Sequence, residues 1–493
     1  MIAAIQTPAV DWFALSPVLS GLAGAGVALL AAVLTPRTSR KLWGALAASS
    51  GFITAIVFAV LLFQDSANGH GVVADAMQRD RLAALAQLII FGSALVVVLV
   101  SWSERLGSAH AAEYYALLAT AASGMAFFVA ANNLMTLFLG LEWFSLSLYV
   151  LCAIAGERVA SLEAGLKYLI VGGFGSAILL FGSALVYGAT GQLEFGAIAE
   201  ATRSQGLADD AMLLVGLAML LTGFGFKASA APFHMWTPDV YQGAPSPVTA
   251  FMAAGTKAAA LVLMLRVLVT AFPEQTEFWT IAVAVLVCAS LAVGNLAALV
   301  QRNVKRLLAY SSISHAGFML IAVAANNELG REALLFYLIP YCAASIGAFA
   351  VVAARERELA REVELDDLAG MGWERPLLGF SLWVFMLSFA GLPFTGGFFG
   401  KFLVFSAAVR ADWTWLAIVG VVATAVSLYY YLAVIRALYM RAELRVLPVG
   451  GSPPRELVLQ TAVVACLAVT IGTFFAVQPL TDWASDAADA LSF

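Results

Sequence analysis

The chain has 493 residues, of which 62% are hydrophobic and only 12% are charged. This is about half the charged fraction of a soluble domain, which excludes a water-soluble protein of this size and favours a membrane protein. The net charge of -5 offers no basic surface to a nucleic acid, so nucleic-acid binding is excluded as well.

Apolar segments long enough to cross a membrane recur along the whole chain. A spanning helix needs about 20 predominantly apolar residues. Fourteen such segments, called spans and numbered in chain order, centre near residues 24, 52, 92, 121, 144, 175, 221, 258, 289, 315, 343, 392, 426 and 467. No basic residue precedes the first span, so it is predicted to be retained and not cleaved as a signal. The sequence predicts an all-α integral membrane protein with about 14 transmembrane helices.

The loops differ in basic charge between the two sides of the membrane. Loops after odd-numbered spans contain Arg37, Arg40, Lys41, Arg105, Arg158, Arg302, Lys305, Arg306, Arg355, Arg357, Arg361, Arg375, Arg441, Arg445 and Arg455. The opposite loops contain only Arg79, Arg81, Arg203, Arg331 and Arg410. Because basic loops stay in the cytoplasm, we expect both termini to be periplasmic in a bacterial inner membrane.

Six basic residues fall inside the predicted spans. They are Lys167, Lys227, Lys257, Arg266, Lys401 and Arg436. The two arginines lie near span ends, and we expect them to extend to the membrane surface. Each of the four lysines costs roughly 2.5–3.5 kcal/mol to insert, so they are predicted to have a function. Desolvation disfavours the charged form of lysine, which lets a buried amine gain and lose a proton near neutral pH.

One acidic residue of the fifth span complements these lysines. Glu142 is predicted to titrate together with a nearby buried lysine, so that a proton on one changes the proton affinity of the other. Glu142 as a static counter-ion is the alternative. For Lys167 the alternative is a local salt bridge with Glu163, four residues earlier on the same helix.

Two spans are interrupted at similar places. The seventh has Pro232 shortly after Lys227, and the twelfth has Pro393 shortly before Lys401. Proline breaks helical hydrogen bonds that lipid cannot replace, and paired breaks are typical of inverted-repeat transporters. The sequence predicts two inverted five-helix repeats, residues 111–275 (spans four to eight) and 276–445 (nine to thirteen). Residues 1–110 form three accessory spans, and 446–493 form the fourteenth span and a tail. A packing kink at either proline is the alternative.

Polar groups between the lysines are suited to hold water. His234 follows the first break, and His315 lies in the tenth span after Ser311 and Ser312. Histidine titrates closest to neutrality, so both are candidate proton relays, although each is equally interpretable as a hydrogen-bonded core residue. The cysteines stand singly, and no motif for a nucleotide, haem or metal is present in the sequence, which predicts no cofactor in this chain.

Three runs of sequence carry a family resemblance. They are residues 231–250 (APFHMWTPDVYQGAPSPVTA), 302–317 (RNVKRLLAYSSISHAG) and 391–398 (GLPFTGGF). The chain resembles the antiporter-like subunits of respiratory complex I over nearly its whole length. Its length and the runs 139–149 and 255–259 are similar to the N type of that family.

The resemblance implies a function and assigns residues to it. Glu142, Lys227 and Lys401 occupy the family's charged positions, and Lys167 and Lys257 match the N type. Trp143 departs from the aliphatic residue expected beside Glu142. The implied function is proton movement from cytoplasm to periplasm, driven by quinone reduction in partner subunits that hold NADH, FMN, iron–sulfur clusters and quinone. Other membrane-arm subunits, one of them antiporter-like, are the implied partners.

Two alternatives to this function remain at the sequence level. The first is a subunit of an Mrp-type cation/proton antiporter, which would be expected to place acidic residues and carbonyl groups at depth, because lysines repel sodium ions. The second is a structural membrane-anchoring subunit, which would have little reason to keep four buried lysines.

Overall fold

A computed structural model describes residues 10–66, 69–104, 110–441 and 456–491. The first three spans are α1 (Trp12–Leu34), α2 (Arg40–Asp65) and α3 (Arg81–Ser101). A short antiparallel hairpin, β1 (His70–Val72) and β2 (Met77–Arg79), connects α2 to α3 and was not predicted. Arg105, Arg445 and Arg455, which contribute to the predicted orientation, lie outside the described residues.

The next four spans contain the first break. Spans four to six are α4 (Ala111–Val129), α5 (Leu134–Ala153) and α6 (Val159–Thr190), and the short α7 (Phe195–Gln205) follows them. The seventh span is divided into α8 (Ala211–Ala228) and α9 (Trp236–Gly243). α8 ends because Ser229 adopts a positive φ of 61°, and the backbone N–H of Ala230 turns back to donate to the Gly225 carbonyl at 2.7 Å. The predicted break near Pro232 is confirmed.

The eighth span is one helix with a widened turn in its middle. α10 (Ser246–Phe251) runs into a π-helical turn (Met252–Thr256), and α11 (Lys257–Ala271) continues from it. The ninth, tenth and eleventh spans are α12 (Thr276–Ala298), α13 (Val304–Ala325) and α14 (Glu328–Leu359). A π-turn rotates the residues that follow it relative to a regular helix, and such turns are frequent at functional sites.

The twelfth span contains the second break. After α15 (Met371–Glu374) come α16 (Pro376–Ala390) and α17 (Gly396–Arg410), separated by Gly391 at a φ of +76° and by Pro393. The chain then forms α18 (Thr414–Met440), α19 (Leu457–Phe475) and α20 (Val477–Ala488). Thirteen described helices are long and apolar enough to cross a membrane. Together with the divided α16–α17 crossing they give the fourteen predicted spans.

Burial separates central from peripheral spans. In the 18-residue apolar segment of each span, the share of buried residues is 100% for the eighth span, 94% for α13 and 89% for α14, but 33% for α19. The peripheral spans expose large apolar side chains such as Val33, Phe174 and Val421, as a lipid-facing surface requires. Polar groups on the central helices therefore face protein, and this is where the candidate site lies.

Candidate functional site

Lys227 lies in the last turn of α8, immediately before the first break, and its residue surface is 2% exposed. Its Nζ donates to Ser145 Oγ at 2.6 Å and to Tyr168 OH at 3.3 Å. The same amine lies 4.7 Å from the ring centroid of Phe144. Hydroxyls and aromatic faces can solvate an ammonium group without carrying a charge themselves. Lys227 is therefore buried against neutral partners.

Glu142 lies one turn before Ser145 on α5 and is half-buried. Its Oε1 is buried, and no hydrogen bond to it is found among the described residues. Glu142 and Lys227 form no direct ion pair, but the carboxylate is near enough to act on the amine through its charge, so the coupled and the static counter-ion interpretations both remain open. Glu142 thus stands close to the Lys227 site with one carboxylate oxygen uncommitted.

Lys257 is the first residue of α11 after the π-turn and is fully buried. Its Nζ donates to Ser312 Oγ of α13 at 2.5 Å. Ser312 Oγ in turn lies 2.9 Å from Tyr341 OH of α14. Three central helices therefore meet in one hydrogen-bonded chain of amine, hydroxyl and phenol.

His315 lies one turn beyond Ser312 on α13 and is 1% exposed. Its Nδ1 is 2.9 Å from Tyr337 OH, and its Nε2 is 3.2 Å from Tyr431 OH. Tyr431 OH also bonds to Ser311 Oγ. Both ring nitrogens are occupied, so His315 has the connections of a relay and is equally well satisfied as a core residue.

Lys401 lies in α17, just after the second break, and is 4% exposed. Its Nζ donates to the Ala390 carbonyl and to Thr424 Oγ1, each at 3.4 Å, and lies 4.2 Å from the Phe318 ring centroid. A Cβ at Gly391 would lie 2.8 Å from Lys401 Cδ. The glycine therefore serves both the left-handed backbone at the break and the passage of the lysine stem.

Lys167 and His234 are placed differently from the three buried lysines. The Lys167 side chain is 44% exposed on this chain, with Nζ 2.7 Å from Glu163 Oε1 and 2.8 Å from Asp239 Oδ2. The prediction that it is buried is wrong for the chain by itself, because α6 faces outward here, and the local salt bridge is present. His234 lies half-buried in the first break, and no described group bonds to its buried Nδ1.

Three further basic residues are buried that the sequence did not indicate, namely Arg266, Lys305 and Arg355, and the first two make contacts that bear on the site. Arg266 was expected to extend to the membrane surface, but it is 3% exposed and pairs with both carboxylate oxygens of Asp80, one of them at 2.8 Å. Lys305, counted among the loop residues, is 1% exposed and donates to the Ala244 carbonyl at 2.7 Å. Asp80 directly precedes the third span, and that helix-capping position is the only sequence signal for either contact.

The arrangement is suited to moving protons. The amines of Lys227, Lys257 and Lys401, the imidazole of His315 and several hydroxyls lie on the two interrupted spans and on the helices between those spans. Within the described ranges no group of His, Cys, Asp and Glu side chains could hold a metal ion. Each hydroxyl can accept a proton from one side and donate one to the other, which is the property of a proton wire.

We expect Ser312→Ala to reduce proton transfer at Lys257 without abolishing it. The change removes the one side-chain hydroxyl that Nζ contacts and breaks the link to Tyr341. Pumping by vesicles that contain the assembled complex measures this loss. Ser314→Ala is the matched control, since Ser314 is buried on the same helix but faces Tyr430 and not Lys257. Equal effects of the two changes would contradict a specific role for Ser312.

The known proteins that are similar to this chain agree in their family. The family described as NADH:quinone oxidoreductase/Mrp antiporter matches residues 131–427. A protein of Trichlorobacter lovleyi named NADH-quinone oxidoreductase subunit N is 45% identical over 74% of this chain and 76% of its own length. A chain of respiratory complex I from Thermus thermophilus, solved with bound aureothin, is 36% identical with a TM-score of 0.79, covering 94% of this chain and 98% of its own.

A more distant structure shares the fold. A chain of the Mrp complex from Dietzia sp. DQ12-45-1b has a TM-score of 0.83 and covers 96% of this chain and 97% of its own. Its sequence identity is 22%, so this likeness shows the fold alone.

Proposed function

The chain belongs to the NADH:quinone oxidoreductase/Mrp antiporter family, and we propose that it is an N-type, proton-translocating subunit of the membrane arm of NADH:quinone oxidoreductase. The observation that carries this proposal is the burial of Lys227, Lys257 and Lys401, none of which forms an ion pair with a described carboxylate. A buried amine with neutral partners can change its charge. The relatives that bear the N-type name support the same assignment.

The path of the proton follows the order of these groups. Lys227 is the centre, with Glu142 and Lys167 controlling the first half of the path. Lys257 connects the halves through Ser312, His315 continues along α13, and Lys401 ends the second half. A proton arriving at one amine raises the cost of charging the next, so charge displacement propagates along the row. His234, in the first break, is a second candidate relay.

Redox chemistry belongs to the partners in this proposal. NADH, FMN, iron–sulfur clusters and quinone are held by other subunits, and quinone reduction there drives the proton movement here. This chain is then one part of an enzyme without a redox centre of its own. Its neighbours in the membrane are other membrane-arm subunits, one of which is antiporter-like.

The internal organisation is part of the same proposal. Residues 111–275 and 276–445 form two inverted repeats, 1–110 form the accessory spans, and 446–493 complete the chain. In support, the boundaries at 110/111 and 275/276 fall between helices, and the two breaks lie in the seventh and twelfth spans. The boundary at 445/446 lies outside the described residues. The orientation with both termini periplasmic in a bacterial inner membrane rests on the charge difference between the loops.

An Mrp-type antiporter subunit is the second candidate, because the fold is shared. The subunits that co-purify with the chain distinguish the two. Purified through a tag in mild detergent, the chain is expected to bring with it the other membrane-arm subunits and the redox arm, in a preparation that reduces quinone with NADH. A chain recovered only with other antiporter subunits, without NADH oxidation, would contradict the proposal.

A further inference from the structure

A polar cavity opens on the side of the molecule where the basic loops concentrate. Its volume is about 490 Å³, and it lies between the end of α14 and the start of α6. Its charged lining residues are Glu104, Arg158, Glu356, Arg357, Arg361 and Glu362. Arg158 and Arg361 are exposed at its rim, so water reaches it. In the proposed orientation this is the cytoplasmic side.

Most of the charged side chains in this cavity are already engaged. Arg357 pairs with Glu104 at 3.0 Å and with Glu456 at 2.6 Å. Glu362 Oε2 accepts from Gln242 at 2.7 Å and from Asn303 at 2.8 Å. These pairs are structural and hold neighbouring helix ends together.

Glu356 differs from the other acidic side chains that line the cavity. Its side chain is 13% exposed, Oε2 accepts from Ser246 Oγ, and Oε1 is buried without a hydrogen bond from any described residue. Lys305 Nζ lies 3.5 Å from Oε1, and the lysine side chain is only 1% exposed. Glu356 therefore lies between the cavity and the buried amine of Lys305.

The three spans that carry Glu356 and its neighbours Ser246 and Lys305 also carry the Lys257 site. At the cavity end, Ser246 begins α10, Lys305 is in the first turn of α13, and Glu356 is near the end of α14. At the inner end, Lys257, Ser312 and Tyr341 lie on the same three spans. The two sets are separated along their helices by 11, 7 and 15 residues, which is on the order of 10–20 Å at about 1.5 Å per residue.

The Tyr241 side chain places a buried hydroxyl between these two ends. Tyr241 is fully buried in α9 and packs edge-on against Phe349 of α14, with ring centroids 6.0 Å apart. Its hydroxyl faces Ser312 of the Lys257 site and makes no short hydrogen bond to a described group. A hydroxyl in this position can bind a water molecule, which a proton path across the separation requires.

We propose that Glu356 takes up protons from this cavity and delivers them, through Lys305, to Lys257. This inference rests on the proposed proton-translocating function. Water in the cavity gives a proton to the Glu356 carboxylate, which then no longer balances the Lys305 ammonium. Lys305 releases its proton inward, through water between α10, α13 and α14, to a neutral Lys257. The proton on Glu356 then passes to Lys305, so that both groups recover their charge and one proton has moved.

The test is the proton-to-electron ratio of vesicles that contain the assembled complex with Glu356→Gln. We expect the same loss of pumping as for Lys227→Ala, measured side by side, because the amide keeps the shape but cannot carry the proton. Glu358→Gln is the matched control. It removes a carboxylate of similar burial, two residues further on α14, that faces Arg355 and Arg375 outside the cavity, and it is expected to keep the parental ratio.

The outcomes separate this inference from the function on which it rests. A parental ratio for Glu356→Gln, together with a loss for Lys227→Ala, overturns the uptake role and leaves the function in place. Parental ratios for both variants overturn the function. A loss with Glu358→Gln as large as with Glu356→Gln shows a general charge effect and overturns the specific role of Glu356.

A second variant tests the cavity if Glu356→Gln does not assemble. Ala155 lines the cavity, and Ala155→Cys followed by a bulky, membrane-impermeant maleimide blocks it in an already assembled complex. Cys152, Cys342 and Cys466 are buried, and parental vesicles treated with the reagent control for Cys288. Labelling is expected to lower the ratio. Labelling without an effect, or no labelling from the cytoplasmic side, overturns the proposal.

Discussion

Lys227→Ala is expected to abolish proton translocation through this chain while the complex still assembles. The amine donates to Ser145 and to Tyr168, so its removal interrupts the row between Glu142 and Lys257. Assembly should persist because Ser145 and Tyr168, which accept from Lys227, are neutral side chains, so the change leaves no broken ion pair. The proton-to-electron ratio of vesicles, with NADH oxidation as a reference, measures the loss.

Lys227→Arg distinguishes proton exchange from a fixed positive charge. Arginine keeps the charge but does not release its proton near neutral pH, so this variant is also expected to lose pumping. Arg436→Ala, at an exposed position of α18, is the control and should pump normally. Pumping at the parental ratio by either Lys227 variant would contradict Lys227 as a proton-exchanging centre.

Arg266→Ala is expected to produce the largest loss of stability. The change leaves Asp80 charged in a site where its residue surface is 3% exposed, and breaking a buried ion pair from one side costs about 3–5 kcal/mol. Asp80→Ala should be at least as damaging, because it leaves a buried guanidinium and also removes the acceptor that caps α3 at Ala83 N. The amount of chain recovered in the assembled complex, and its thermal stability, measure the effect.

Two comparisons make this second prediction specific. Replacing both partners together, as Asp80→Leu with Arg266→Met, is expected to recover much of the stability, since no unpaired charge remains. Arg203→Ala removes an exposed partner of Glu200 and is expected to change nothing measurable. If Arg266→Ala accumulated as well as the parental chain, the pair would not stabilise the connection between the second loop and the eighth span.

The sequence by itself determined the number of spans and the two breaks, and it predicted four buried lysines, of which three are buried. Span length is a local property, because about 20 apolar residues cross a bilayer whatever their neighbours are. The breaks are local as well, since Pro232 and Pro393, a few residues beyond the ends of α8 and α16, lack the backbone N–H with which either helix could continue. The family was also recognisable from short runs of sequence, and the matching family confirms it.

Tertiary structure decided which charged groups are buried and what they contact. Arg266 and Asp80 are 186 residues apart in sequence, and nothing local to either residue predicts that they meet. Lys305 follows a loop, yet the Ala244 carbonyl and Glu356 enclose it. Lys167 lies within an apolar span, yet it stays partly exposed because α6 lies at the edge of the bundle.

The physical reason is that insertion into a membrane and packing against a neighbouring helix depend on different properties of a segment. Apolar length decides that a segment enters the bilayer, but lipid and protein are equally apolar surroundings for it. Only the packing of helices distant in sequence distinguishes Lys257, enclosed by α13 and α14, from Lys167 at the surface of α6. The same packing supplies hydroxyls, and not carboxylates, as the described side-chain hydrogen-bond partners of Lys227, Lys257 and Lys401.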